Sequence, residues 1–310
     1  MEKVVERELW VDEKDYQSDT KYTELSDYWK NKINEFCLKG YVIFEDDSKG
    51  LIESAVSWFD AWKERNDLYL KGFYDSQGCL PRMINFHEKS KALCELFSSS
   101  NALKFQDIIF QEETVLYTSL LFEKGTSQPI HRDIPYFWTN PSNHYFGMWV
   151  ALEDSTKENG ALMGVPGGHK LIDRNRGDFA KELNRKYDSI GAIDKQLWEE
   201  YQEKLMQRCV EAGLEKTQIE MNKGDVIVWH PLFPHGGGQL KDSVRTRKSI
   251  VYHTIPIGAS VHQADVFFNP DKLVNPIASW EFVEVGERKA IKRNVNIGHR
   301  ADFDTSKIIW

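Results

Sequence analysis

The chain has 310 residues, 41% of them hydrophobic and 28% charged, and a net charge of -8. That length can bury one large core or two modest ones. The acidic balance excludes the basic face of a nucleic-acid binder, and no stretch approaches the ~18 consecutive apolar residues of a membrane span. The acidic start "MEKVVERELWVDEKDY" is unlike a signal peptide. Cys37, Cys79, Cys94 and Cys209 are scattered without a Cys-x-x-Cys. They read as reduced thiols of a cytoplasmic protein.

Taken in chain order, apolar residues at Leu25, Tyr28, Trp29, Ile33 and Phe36 predict a helix over 22–39, closed by Gly40. "YVIFED" follows as a short strand, and 50–66 and 87–98 read as helical. Residues 113–123, "ETVLYTSLLFE", are rich in β-formers and predict a strand. "GMWVALED" (147–154) and "GALMGVPG" (160–167) predict two more. Residues 173–215 break the pattern with a charged, helix-prone run, in which Leu197, Tyr201 and Leu205 recur every fourth position. This run is expected to be a helical insertion, either a solvated flap or a lid over a pocket mouth. Strands resume at 216–221, 224–230 and 247–255, so the core from 113 to 257 reads as a sandwich or barrel with helical or irregular ends.

The segment "QPIHRDIPYFW" contains His-Arg-Asp, as a kinase catalytic loop does. A kinase needs Asn five residues after that Asp. Trp138 stands there, and no Gly-rich loop, Asp-Phe-Gly or Ala-Pro-Glu accompanies it. His131 and Asp133, two apart on a strand, instead point to one side and can reach one ion, with Arg132 turned away. Two His and one carboxylate on one face make the site of a non-haem iron oxygenase. "KGDVIVWHPLFPHGGGQLKDSVRTRKSIVYHTIP" offers His235 as the second His, opening a glycine run, and Arg247 leading a strand. An arginine grips a carboxylate with two parallel hydrogen bonds. Its place after the second His suits a cosubstrate with a distal carboxylate, 2-oxoglutarate.

These blocks, "HRDIPYF", "MWVALEDSTKENGALMGVPGGHK", "KGDVIVWHPLFPHGGG" and "TRKSIVYH", resemble the phytanoyl-CoA dioxygenase family of Fe(II)/2-oxoglutarate-dependent oxygenases over roughly residues 112–257. The resemblance implies a mainly β fold with flanking helices and a double-stranded β-helix (jelly-roll) core. It implies one domain over 1–310: a helical part to about 110, the core at about 111–258 interrupted by the insertion, and an extension from 259. It assigns iron to His131, Asp133 and His235, and 2-oxoglutarate to Arg247, with O2 as the further cosubstrate. Members of the family often space the second His and the arginine by eleven residues; here the spacing is twelve, which leaves Arg245 as a minor rival. Some members place a hydroxyl two residues after the second His; Gly237 stands there, so Ser249 becomes the candidate hydroxyl.

Trp149 matches an aromatic position near the cosubstrate in relatives. Tyr117 and Ser119 share one strand face and are candidates for the same contact, while Thr118, Leu120 and Phe122 share the other. Arg82, Asn85, Phe137, Trp138 and His144 are candidates for substrate contact, and Gln128 and Lys124 for polar lining. His230 and His169 are expected to be structural, and His253 a satisfied core histidine. Related halogenases replace the iron carboxylate with a small residue. Asp133 therefore makes hydroxylation, with release of succinate and CO2, the expected reaction, and the long insertion with the aromatic–arginine mixture favours a small, polar metabolite, an amino-acid, sugar or natural-product intermediate, as substrate. The rivals are a cupin-type metalloprotein, which needs no cosubstrate arginine, and a binding module, which would have lost a ligand.

Overall fold

The computed structural model describes residues 1–310 apart from 49, 173–175, 179–180, 182–193, 243 and 277. The strands are β1 (Tyr41–Phe44), β2 (Met83–Ile84), β3 (Thr114–Phe122), β4 (Trp138–Asn140), β5 (Phe146–Ala151), β6 (Leu162–Gly164) and β7 (Thr217–Ile219). They continue as β8 (Val226–Trp229), β9 (His235–Gly237), β10 (Ser249–Pro256), β11 (Ser260–His262), β12 (Phe282–Val285), β13 (Arg288–Ile291) and β14 (Asn296–Ile297). The large sheet runs β1-β8-β5-β10-β3-β13-β12, with β2 also paired to β3 and β14 to β2. Two smaller sheets, β7-β6-β9 and β11-β4, complete the β structure.

Alternation along the central strands sets the layers. Phe146, Met148 and Val150 of β5, Val226 and Val228 of β8, and Ile250 and Tyr252 of β10 pack with the helices Asp27–Lys39, Ile52–Arg65, Lys91–Ser98 and Asn101–Phe110. The intervening Trp149, Ala151, Ile227, Trp229 and Val251 pack with Leu162 and Ile219 of the β7-β6-β9 sheet. Two sheets thus face each other, and helices cover the outside of the larger one.

The helix Asp27–Lys39 ends as the sequence predicts. Gly40 adopts φ 84, and its N–H bonds Phe36 at 2.7 Å. A Cβ there would lie 2.5 Å from the His169 ring, so turn and packing both demand glycine. The insertion resolves into the helix Asp194–Glu211, which buries Leu197, Tyr201 and Leu205 at the predicted spacing; the rest of it lies mainly outside the described residues. The chain's end departs from the expectation of helical or irregular structure, because β12, β13 and β14 join the large sheet. Each is four residues or fewer and partly exposed, too short for a readable alternation. Among the described residues no helix is long and apolar enough to cross a membrane, and all four cysteines are free.

Candidate metal centre and its cavity

His131 and His235 lie 104 positions apart (131 to 235) yet face each other across a β-bridge. His131 N–H donates to His235 O at 2.8 Å, and His235 N–H to His131 O at 2.9 Å. Each ring is fixed by its own chain: His131 Nδ1 donates to Pro129 O at 2.8 Å, and His235 Nδ1 to Phe233 O at 3.0 Å. With Nδ1 carrying the hydrogen, Nε2 of each neutral ring holds the lone pair that a metal needs. Asp133 completes the group, its Oδ1 3.5 Å from His131 Nε2 and its Oδ2 3.5 Å from His235 Nε2. The three ligand atoms lie within 4.8 Å of one another. Burial pushes His235 down to about 4, which keeps it neutral. Burial alone would raise Asp133, but the polar groups facing it, the His235 ring foremost, outweigh burial and hold the carboxyl well below its usual range. Two neutral imidazoles and one carboxylate suit a single iron ion. Gln128 Nε2, 3.3 Å from His131 Nε2, occupies the direction that a metal would take.

A chain of side chains holds the carboxylate from behind. Tyr145 OH donates to Asp133 Oδ2 at 2.7 Å, and Trp229 Nε1 to the same oxygen at 3.2 Å. Tyr145 OH also bonds His253 Nδ1. An ionised carboxylate only accepts, so the Tyr145 proton goes to Asp133 and His253 Nδ1 donates to Tyr145. His253 Nε2 is then an acceptor. It is buried and has no partner among the described residues, on a ring that lines the cavity.

The triad opens on a cavity of about 620 Å³. Arg247 lines it and is 2% exposed. Its Nη1 donates to Gly160 O, its guanidinium lies 5.5 Å from the Trp149 ring, and its Nε is unpartnered. Among the described residues it pairs with no carboxylate. Burial pushes it down to about 10, still cationic at neutral pH. A buried cation without an anion costs several kcal/mol in an otherwise finished core. It fits the far carboxylate of a bound dicarboxylate. Its rival Arg245 is exposed. Ser249, two residues on, has a buried and unpartnered Oγ, although it does not line the cavity.

Of the other expected residues, Trp149, Phe137, Arg82 and Gln128 line the cavity, and Lys124 does not. Tyr117 and Ser119 are corrections. A β-bulge shifts the β3–β10 register between His253 and Thr254, which leaves Tyr117 without a partner and inverts the alternation. Beyond the bulge the pairing is regular: Thr118, Leu120 and Phe122 face the cavity, while Ser119 Oγ bonds His87 on the helix side at 2.7 Å. Tyr117 packs edge-on to Phe137 and under Arg293. Asn85 is also corrected: left-handed at φ 59, it accepts from Thr118 Oγ1 and Ser119 N and buttresses the strand. Trp138 turns to Phe267 and Arg176, and His144 stacks on Phe110, both away from the cavity. His230 and His169 are structural as expected, bonded to Asp12 and to Cys37 O. His253 is corrected from a satisfied core residue to a cavity residue. The readable signal was its place in the alternation 247, 249, 251, 253. Arg132 turns away from the metal, as predicted, and donates to Leu232 O, Gly168 O and Leu171 O. The insertion helix brings Trp198 and Glu199 onto the cavity, with Trp198 5.7 Å from the His131 ring.

Residues 86–249, just over half the chain, match the family described as Phytanoyl-CoA dioxygenase (PhyH). The chain belongs to the phytanoyl-CoA dioxygenase family. Among curated proteins, the peroxisomal phytanoyl-CoA dioxygenases of Bos taurus and Homo sapiens are each 30% identical over 146 residues. Each match covers 46% of this chain and 37% of the relative, so the chain spans little more than a third of the curated relatives it matches. Among solved structures, the non-heme alpha ketoglutarate dependent epimerase SnoN from nogalamycin biosynthesis superposes with a TM-score of 0.55 at 15% identity, covering 85% of this chain and 98% of that one. EctD from S. alaskensis, solved with 2-oxoglutarate and 5-hydroxyectoine, gives 0.53 at 14% identity, covering 84% and 86%. At these identities the likeness to the solved structures is one of fold.

Proposed function

We propose that this phytanoyl-CoA dioxygenase family chain is an Fe(II)- and 2-oxoglutarate-dependent oxygenase that hydroxylates an unactivated C–H bond of a small, polar metabolite in the cytoplasm. We read its facing sheets as a double-stranded β-helix. The observation that carries the reading is the cavity shared by the His131, Asp133 and His235 triad and by Arg247, a buried cation with no carboxylate partner. Bound there, iron with 2-oxoglutarate and O2 supplies the oxidising chemistry, with succinate and CO2 as products.

The chain's own part is binding, orientation and exclusion of water. His131, Asp133 and His235 hold the metal. Arg247 pairs the far carboxylate of 2-oxoglutarate against the Trp149 ring. Phe137 and Arg82 form the substrate wall. Trp198 covers the triad from the insertion helix, which favours the lid over the flap. Retention of Asp133 supports hydroxylation. The polar lining of Arg82, Thr118, Gln263 and His299 supports a polar substrate over a bare acyl chain.

Anaerobic titration with Fe(II) and 2-oxoglutarate tests this. A visible charge-transfer band is expected that needs both partners, disappears in His131→Ala and weakens in Arg247→Ala. No band in reduced, metal-replete protein would overturn the reading.

A further inference from the structure

Three arginines stand on the described cavity wall. Arg132 is saturated by backbone carbonyls. Arg247 serves the cosubstrate in the reading above. Arg82 makes no ion pair and no side-chain hydrogen bond with any described residue. It immediately precedes β2, two positions before the lining residue Ile84, so alternation aims it at the cavity. β3 lies between β2 and β10, which puts Arg82 about 10 Å to the side of the Arg247 strand.

Two histidines accompany Arg82. Gly298 N–H donates to Arg82 O at 2.8 Å, which seats His299 beside it on the cavity wall. His253 lines the same wall, 3% exposed, with Nδ1 engaged by Tyr145 and Nε2 left as an unpartnered acceptor. Burial is the main cause that keeps both rings neutral, and the nearby Arg82 charge adds to it. Arg82, exposed on the cavity rim, and the buried, unsatisfied acceptor of His253 on the wall of the same cavity offer a ligand two complementary contacts.

We infer that Arg82 and His253 form the substrate subsite and select a small molecule that carries an oxyanion, carboxylate or phosphate, with a hydroxyl or amine close to it. The oxyanion pairs with Arg82, and the O–H or N–H donates to His253 Nε2. Uncharged analogues lack the first contact, and simple acids lack the second. This inference rests on the oxygenase reading for what counts as substrate, while the anion contact itself is independent of it.

Calorimetry on the full chain, loaded anaerobically with Fe(II) and saturating 2-oxoglutarate, tests the subsite with glycolate, inorganic phosphate and uncharged ethylene glycol as probes. Saturable binding of at least one anion is expected, and none of ethylene glycol. Arg82→Ala should weaken the anion at least tenfold, Arg82→Lys should keep part of the affinity, and His253→Phe should weaken glycolate several-fold. Preference for phosphate or for glycolate identifies the oxyanion. Equal affinity in wild type and Arg82→Ala, loss only in Arg247→Ala, or no heat with either anion would overturn the subsite. The charge-transfer band is read on the same sample: Arg82-dependent binding without a band sinks the oxygenase reading and leaves the subsite standing.

Discussion

Strands β8, β5 and β10 carry two unlike faces. Toward the helices, Val226, Val228, Phe146, Met148, Ile250 and Tyr252 are buried against apolar neighbours, and the Tyr252 hydroxyl donates to Leu93 O at 2.7 Å. Toward the smaller sheet, the same strands and their approach present Arg247 Nε, Ser249 Oγ and His253 Nε2, all buried and all without a partner. One face is complete as folded and the other is complete only with guests. Stability resides on the first, and the second gives up some of it to hold groups ready for binding.

That contrast can be broken from either side. The largest effect is expected on the guest side: Asp133→Ala should abolish the Fe(II)/2-oxoglutarate band and lower turnover by about a thousandfold or more, while the metal-free protein keeps its melting temperature within a few degrees. The helix side should respond in the opposite sense. Met148→Ala is expected to cost about 2–5 kcal/mol of stability, read by chemical denaturation, with 2-oxoglutarate affinity unchanged well below the unfolding transition.

The two buried arginines sharpen the comparison. Arg247→Ala should weaken 2-oxoglutarate by about 2–3 kcal/mol and leave the metal-free fold as stable or more so, because an unpaired buried charge is removed. Arg132→Met takes the arginine's donors from Leu232 O, Gly168 O and Leu171 O, of which only Gly168 O keeps a backbone donor among the described residues, and should cost about 3 kcal/mol of stability. Equal destabilisation by both substitutions would refute the distinction. Tyr145→Phe takes one donor from Asp133 and should weaken Fe(II) binding about tenfold, measured by metal competition.

The smallest effect concerns pH. Burial pushes His87 and His169 down from 6.5 to about 3. The unfolded chain takes up protons at both below about pH 6.5, and the folded chain does not until about pH 3. Stability therefore rises with pH across that window. The melting temperature of metal-free protein should fall on acidification from pH 7 to 4, with a shallower slope in His87→Gln.

Much of the site was legible because it obeys local rules. His131 and Asp133 share a side by period two, His235 opens the glycine run, and Arg247 rather than Arg245 leads the strand. The same period groups 247, 249, 251 and 253 as one set, yet the sequence reads His253 as core, because alternation does not say which set meets the cavity. The bulge at Tyr117 escaped for a sharper reason. One extra residue inverts the parity of everything before it in β3, and no residue type in "VLYTSLL" announces it. Asn85 failed likewise, since its left-handed backbone aims the amide at β3. Tyr145 and Trp229 act through Asp133 from 12 and 96 positions away, with no motif linking them, so only the folded chain brings them together.

The bridge between His131 and His235 ties the metal centre to the chain's closure. Their spacing is set by two backbone hydrogen bonds independent of any ion, so an entering ion meets the two rings at a fixed separation and needs Gln128 to move off His131 Nε2. The converse holds on unfolding. Opening that one rung parts the two imidazoles by the full span of the intervening chain, so loss of metal and loss of the small sheet should occur as a single kinetic event, with a release rate that follows the rung and not the strength of the individual metal–ligand bonds.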